Sequence, residues 1–188
     1  FAFVATHNHF VLDRGGKAVK QSAPVIKLPK EATEDDHLAL LGVLNSSTAC
    51  FWLKQNCFGK GLGGVNQESR HELFDEFFEF TGTTLKAFPL PAGSTVDRAR
   101  HIDQLAQELA AVEPAALLVG SSPSAELFAR GEAEWERLRG LMIAEQEELD
   151  WQVYHLYGFT DSDFSLPVGE VPRIALGERA FEIALARR

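Results

Sequence analysis

The chain has 188 residues, is 45% hydrophobic and carries a formal net charge of -9, which suits one full soluble domain or two small ones. No apolar run approaches the roughly 20 residues that a bilayer span needs, so no membrane partner is expected, and the acidic balance argues against generic polyanion binding. The charge is uneven, however: residues 1–60 hold seven Lys/Arg against five Asp/Glu, and the remainder eleven against twenty-two. A phosphate-facing surface is therefore expected in the first third.

Phe1 to Pro29 reads as β structure, from its short apolar runs and the turn signal Asp13-Arg14-Gly15-Gly16. The expected hairpin has Val11 and Leu12 on one arm and Ala18 to Lys20 on the other. His7 and His9 lie two apart and so share a face, with Asn8 on the opposite one. The spacing is compatible with a metal pair, but no nearby carboxylate completes a site, and surface or hydrogen-bonded histidines are the default.

Thr33 before Glu34-Asp35-Asp36 marks a helix start. It opens Leu40 to Asn56, LLGVLNSSTACFWLKQN, the stretch around which the chain is organised: two short helices meeting at a polar break. Leu38, Leu41, Val43 and Leu44 form the apolar side of the first, and Cys50, Phe51, Leu53, Cys57 and Phe58 that of the second. Asn45-Ser46-Ser47-Thr48 favours a helix end followed by a new N-cap. Cys50 and Cys57 would stand about 10 Å apart on a continuous helix, too far for a disulfide, so reduced thiols and a cytoplasmic location are expected.

Gly59 to Gln67, with four glycines in nine residues, reads as a loop that is mobile or ordered by a ligand. It lacks P-loop spacing. FFEF-TGTT-LKAFPLP suggests a second hairpin that turns at Thr81 to Thr84. Beyond Ser94-Thr95, an apolar stripe of Ile102, Leu105, Ala106, Leu109 and Val112 defines a helix. After breaks at Glu113-Pro114 and Gly120 to Pro123, a long helix runs to about Tyr157, with Trp135, Leu138, Met142, Leu149, Val153 and Leu156 on one seam and a solvated Glu run opposite. Asp150 beside Trp151 is read as packing at the helix end. The tail from Thr160 ends in a short helix, GERAFEIALARR. With no initiator Met at Phe1, the chain reads as a fragment of something longer or a processed product.

These elements give an α+β chain, with a mixed β/helix part over 1–93, an antiparallel helical hairpin over 94–158, and a tail over 159–188 leading onward. No nucleophile elbow, HExxH pair, Walker loop or GxGxxG occurs. On its own residues the chain reads as non-catalytic.

FVATHNHFVLDRGGKAVKQSAPVIKLP, followed by LLGVLNSSTACFWLKQNC, FEFTGTTLKAFPLP and EQEELDWQVYHLYGF, resembles in that order the C-terminal half of the PglX-type adenine-specific DNA methyltransferases of bacteriophage-exclusion (BREX) systems. These are similar in plan to fused restriction-modification enzymes. The helical element followed by LKAFPLP also looks like the target-recognition domains of such enzymes, in which a helical spacer follows. The resemblance implies N6 methylation of adenine at a specific duplex sequence with S-adenosylmethionine, in phage defence. The family's Asn-Pro-Pro-Tyr/Phe motif and glycine-rich cofactor loop have no match here, so no catalytic, cofactor or metal residue is carried over. Catalysis would belong to an N-terminal methyltransferase domain, and this chain would read DNA.

Reading DNA requires cations for phosphate and forked amides or guanidinium groups for base edges. The candidates are His7, Asn8, His9, Arg14, Lys17, Lys20 and Gln21 at the first hairpin, and Lys54, Gln55, Asn56, Lys60, Asn66, Gln67 and Arg70 around the glycine-rich loop. The alternative is a module that docks other defence proteins or the catalytic domain without touching DNA. An enzyme built on His7 and His9 is a third reading.

Overall fold

The computed structural model describes residues 1–15, 20–59, 77–175 and 178. The chain is α+β and divides into two compact units, Phe1–Ser94 and Thr95–Arg188.

In the first unit, Thr33 caps helix α1 (Glu34–Leu44) through a capping box: its hydroxyl accepts from the Asp36 amide, and the Asp36 carboxylate accepts from the Thr33 amide. The three acids of the first turn lie on the positive end of the helix dipole. Helix α1 stops at Asn45, and Ser46 caps helix α2 (Ser47–Asn56) by accepting from the Ala49 amide at 3.1 Å. The polar break is thus a C-cap followed directly by an N-cap, as the run of short polar side chains predicts. Leu38, Val43, Leu44, Ala49 and Leu53 form the buried side of the pair.

Three two-residue strands complete this unit: β1 (Val4–Ala5), β2 (Phe58–Gly59) and β3 (Phe78–Glu79). Their order is β1-β3-β2, all antiparallel, with Val4 opposite Glu79 and Phe58 opposite that same residue. Ala5 and Phe78 face inward, joined in the core by Phe10, Cys57, Phe80 and Phe88.

Two expectations of β structure fail. Most of Phe1 to Pro29 is irregular, because its backbone groups are satisfied one at a time: Phe3 donates to Ser22, Ala2 to His9, and the terminal ammonium to Pro24. Phe10 is paired by a side chain, its amide donating to Asn45 Oδ1 and its carbonyl accepting from Asn45 Nδ2, both at 3.0 Å. The Asn45 amide stands in for the neighbouring strand, so no ladder propagates. Likewise Thr81 to Thr84 does not turn a hairpin. Thr81 caps a short helix, α3 (Gly82–Lys86), by accepting from the Thr84 amide. A Thr with its hydroxyl free to bond forward is as good an N-cap as a turn residue. Gly15 has the positive φ of 104° foreseen at the Asp-Arg-Gly-Gly turn, but Ala18 and Val19 of the proposed arm lie outside the described residues, as do the loop from Lys60 to Gln67 and the start of the aromatic run.

The second unit contains α4 (Val96–Ala111), α5 (Pro114–Leu117) and α6 (Ala125–Leu156). Pro114 occupies the first turn of α5, where a missing amide hydrogen costs nothing. Helices α4 and α6 run antiparallel: Arg98 near the start of α4 meets Glu145 late in α6, while at the other end Gly131 of α6 lies against Leu117 and the Val112 carbonyl. A Cβ at Gly131 would run into Leu117. Leu105, Leu138, Ala144, Leu149 and Val153 fill the seam. Gly158, with φ of 73°, ends the long helix, and residues 159–175 return along it as a strap. Three bonds hold the strap to α6: the Leu166 amide to Glu148 at 2.7 Å, the Gly169 amide to Glu145 at 2.9 Å, and the Ile174 amide to the Gly140 carbonyl at 3.2 Å. The final helix proposed within 177–188 lies outside the described residues.

Candidate nucleic-acid interface

Five of the sequence candidates, His7, His9, Lys54, Gln55 and Asn56, follow β1 or lie on α2. Past β1 the chain keeps a two-residue alternation without remaining a strand, so His7 and His9 are exposed while Asn8 is buried. The two imidazoles lie 4.1 Å apart between centroids, tilted by 53°. His7 Nδ1 shares a 2.8 Å hydrogen bond with the Thr6 hydroxyl. Burial, the neighbouring His9 and the Lys54 ammonium all push His7 below the usual imidazole range. The proximity of the Lys54 ammonium to this imidazole pair is the electrostatic feature of the site.

Lys54 stands in the last turn of α2, where the helix dipole favours a cation. Its ammonium lies 5.3 Å from the centroid of the buried Phe78 ring, a cation–π contact that positions the side chain. Beside it, Gln55 is exposed, and exposed Asn56 donates to the Trp52 carbonyl at 2.8 Å, satisfying one of the last carbonyls of the helix.

Phe51 and Phe58 belong to this surface and not to the core. They are 69% and 83% exposed, against the expectation that both join the apolar side of α2. Two positions separate Phe51 from Leu53, so they face opposite sides of a helix; with Leu53 fully buried, Phe51 must point outward. Phe51 and Gln55 are one turn apart and share that outer face. A cation, two amide side chains and exposed rings therefore occur on α2 and just past its C-terminal end, side-chain types of the kind that phosphate and base-edge contacts use.

The remaining candidates are dispersed. Asn8, expected among the contact candidates, is buried instead: its side-chain amide donates to the carbonyls of Leu44, at 2.6 Å, and Ser46, at 3.4 Å, so it braces the helix junction. Arg14 forms an exposed ion pair with Glu34 at 2.6 Å. Lys20 and Gln21 are exposed in the irregular segment that follows. Lys17, Lys60, Asn66, Gln67 and Arg70 lie outside the described residues. No group of three or more His, Cys, Asp or Glu side chains that could hold a metal occurs among the described residues, and Cys50 and Cys57 are both free thiols. Burial holds the Cys57 thiol above its ordinary range, despite opposing hydrogen bonds from Thr84 and Thr81. No helix among the described residues is long and apolar enough to cross a membrane.

The second unit contains a polar cluster that the sequence reading missed. Glu145 and Arg98, 2% and 3% exposed, form a buried ion pair. The other Glu145 oxygen accepts from the Gly169 amide and meets His101 Nδ1 at 3.0 Å. Arg98 also donates to the Leu166 carbonyl. The Glu run of α6 is therefore not wholly a solvated face. The signal was present in the spacing: Arg98 precedes Ile102, Leu105 and Leu109 at intervals of four, three and four, and Glu145 sits between Met142 and Leu149 at three and four. A charge at a seam position on each of two pairing helices, with opposite signs, marks a buried pair.

Residues 142–188 match the model of a domain of unknown function, DUF7008, so the end of α6 and the strap fall within one recognised module. No solved structure matches the chain. The adenine-specific methyltransferase PglX of Streptomyces coelicolor is 50% identical over an alignment of 198 residues that takes in all of this chain and 16% of the relative. The chain thus spans about a sixth of the length of that methyltransferase, at 16%. Over its whole length, the chain is a homologue of the C-terminal part of PglX-type adenine-specific methyltransferases.

Proposed function

We propose that this chain is the DNA target-recognition part of an N6-adenine DNA methyltransferase acting in cytoplasmic phage defence of the BREX type. Residues 1–93 would read duplex DNA, 94–158 would act as spacer and 159–188 would lead into a following region. S-adenosylmethionine binding and catalysis would be supplied by the methyltransferase domain. The observation that carries the reading is the grouping at the end of α2, where Lys54, Gln55 and Asn56 stand beside two imidazoles and exposed Phe51 and Phe58. Its chemistry matches what phosphate and base-edge contacts require. The homology to an adenine-specific methyltransferase supports the same substrate.

The test is duplex binding by the complete protein as a function of salt, with and without Lys54→Glu. Loss of one phosphate contact weakens binding about tenfold and lowers the slope of log affinity against log salt by about one. An unchanged affinity and slope overturn the reading for this surface. That result would favour the alternative, a docking module without direct DNA contact.

A further inference from the structure

The second unit exposes an aromatic surface where α6 ends and the strap begins. Phe159 is 67% exposed, Phe164 63% and Trp151 37%. The Phe164 and Tyr154 rings each meet the Trp151 indole edge-on, at 6.4 and 5.6 Å between centroids. Contiguous exposed aromatics are uncommon on a surface that contacts only water, and they mark interaction sites.

This face is held in place from below. The Ser165 amide donates to Asp163 at 2.9 Å, and the Leu166 amide to Glu148 at 2.7 Å. The Leu166 carbonyl accepts from Arg98, whose guanidinium is anchored on buried Glu145. Phe164 is therefore an exposed ring on a backbone tied down at both following residues. An aromatic presented in this way loses little conformational entropy on binding, which is the property of an interface anchor.

Its surroundings select the occupant by charge. From Gly140 to Pro172 there is no Lys or Arg; of the seven Asp/Glu, Glu145 and Asp150 are buried and the other five are half-buried or exposed. Glu147 lies one helical turn before Trp151, and Asp161 and Asp163 precede Phe164. Such a face repels nucleic acid and anionic lipid surfaces. A second copy meeting through the same face would bring like charges together. An arginine-bearing protein segment fits, because a guanidinium can stack on Trp151 or Phe164 while pairing with the acids close by.

We propose that the face formed by Trp151 and Phe164, with Glu147, Asp161 and Asp163 close by in the chain, is a docking surface for an arginine-rich segment of protein. This site belongs to the second unit, and the proposal stands whether or not the first unit binds DNA.

The test replaces Phe164 in the complete protein with the photocrosslinker p-benzoylphenylalanine, irradiates cells producing it, and identifies the crosslinked peptides by mass spectrometry. Adducts are expected on a peptide bearing Arg or Lys. Their yield should fall about tenfold when Glu147→Lys and Asp161→Lys are combined, and recover when the cations of the captured peptide are changed to Glu. Absence of adducts, adducts to nucleic acid or to the same face of a second copy, or adducts indifferent to charge reversal would each overturn the proposal.

Discussion

The side-chain amide of Asn8 donates to the carbonyl oxygen of Leu44 at 2.6 Å, across 36 residues of sequence. That carbonyl belongs to the last turn of α1, which has no partner within the helix, so a residue of the irregular N-terminal segment completes the helix junction. Asn8→Ala leaves a buried carbonyl without its donor, and we expect a loss of about 1–3 kcal/mol of stability. Denaturant unfolding of the complete protein, following the transition of this unit, measures it. The salt slope of DNA binding should stay unchanged, which separates a brace from a contact.

Gln55 and Lys54 are neighbours with different expected roles. A forked amide on a base edge discriminates sequence, whereas an ammonium on phosphate does not. Gln55→Ala should cost about 1–3 kcal/mol at the cognate site and leave binding to unrelated duplex unaltered. Competition binding with cognate and scrambled duplexes distinguishes this from a uniform loss, which would reassign Gln55 to backbone contact.

If the proposed surface binds DNA, His7 should give opposite pH dependences to folding and to that binding. Burial, His9 and Lys54 lower its proton affinity in the folded chain, so the unfolded chain, with an imidazole pKa of about 6.5, takes up the proton first as pH falls. The stability contribution is therefore fully present above about pH 6.5 and is lost as pH falls through that value towards the folded pKa. A phosphate at the same place favours the protonated ring, so duplex affinity should rise over the same window. His7→Gln should flatten both trends. If the affinity trend survives in that variant, His7 is not the group responsible.

Breaking the buried pair in the second unit should be costly, while replacing it need not be. Glu145→Gln leaves Arg98 buried without a counter-charge, and removing one partner of such a pair costs about 3–5 kcal/mol. Replacing both with methionine removes the unpaired charge and should recover much of that loss. Because Glu145 also accepts from Gly169, both variants should accelerate amide exchange at Gly169. Hydrogen exchange measured by mass spectrometry would reveal this; protected strap amides would show that the pair does not hold the strap.

The sequence by itself determined those features that local chemistry controls. Thr33 with Asp36, the Asn45-Ser46 junction and Gly158 each terminate or start a helix through bonds reaching no more than a few residues, so their positions were legible in the chain. The α4 and α6 stripes were legible too, since helical spacing alone places their apolar residues on one side.

Tertiary structure decided everything that depended on a distant partner. Whether Phe1 to Phe10 became a strand turned on what met its backbone, and what met Phe10 was the side chain of Asn45. The outward turn of Phe51 followed from which side of α2 the rest of the unit covered. Arg98 and Glu145 are separated by 47 positions, and the Glu run that contains Glu145 read as solvated. Only the antiparallel packing of the two helices brings them together. There, away from water, each supplies the charge that the other requires.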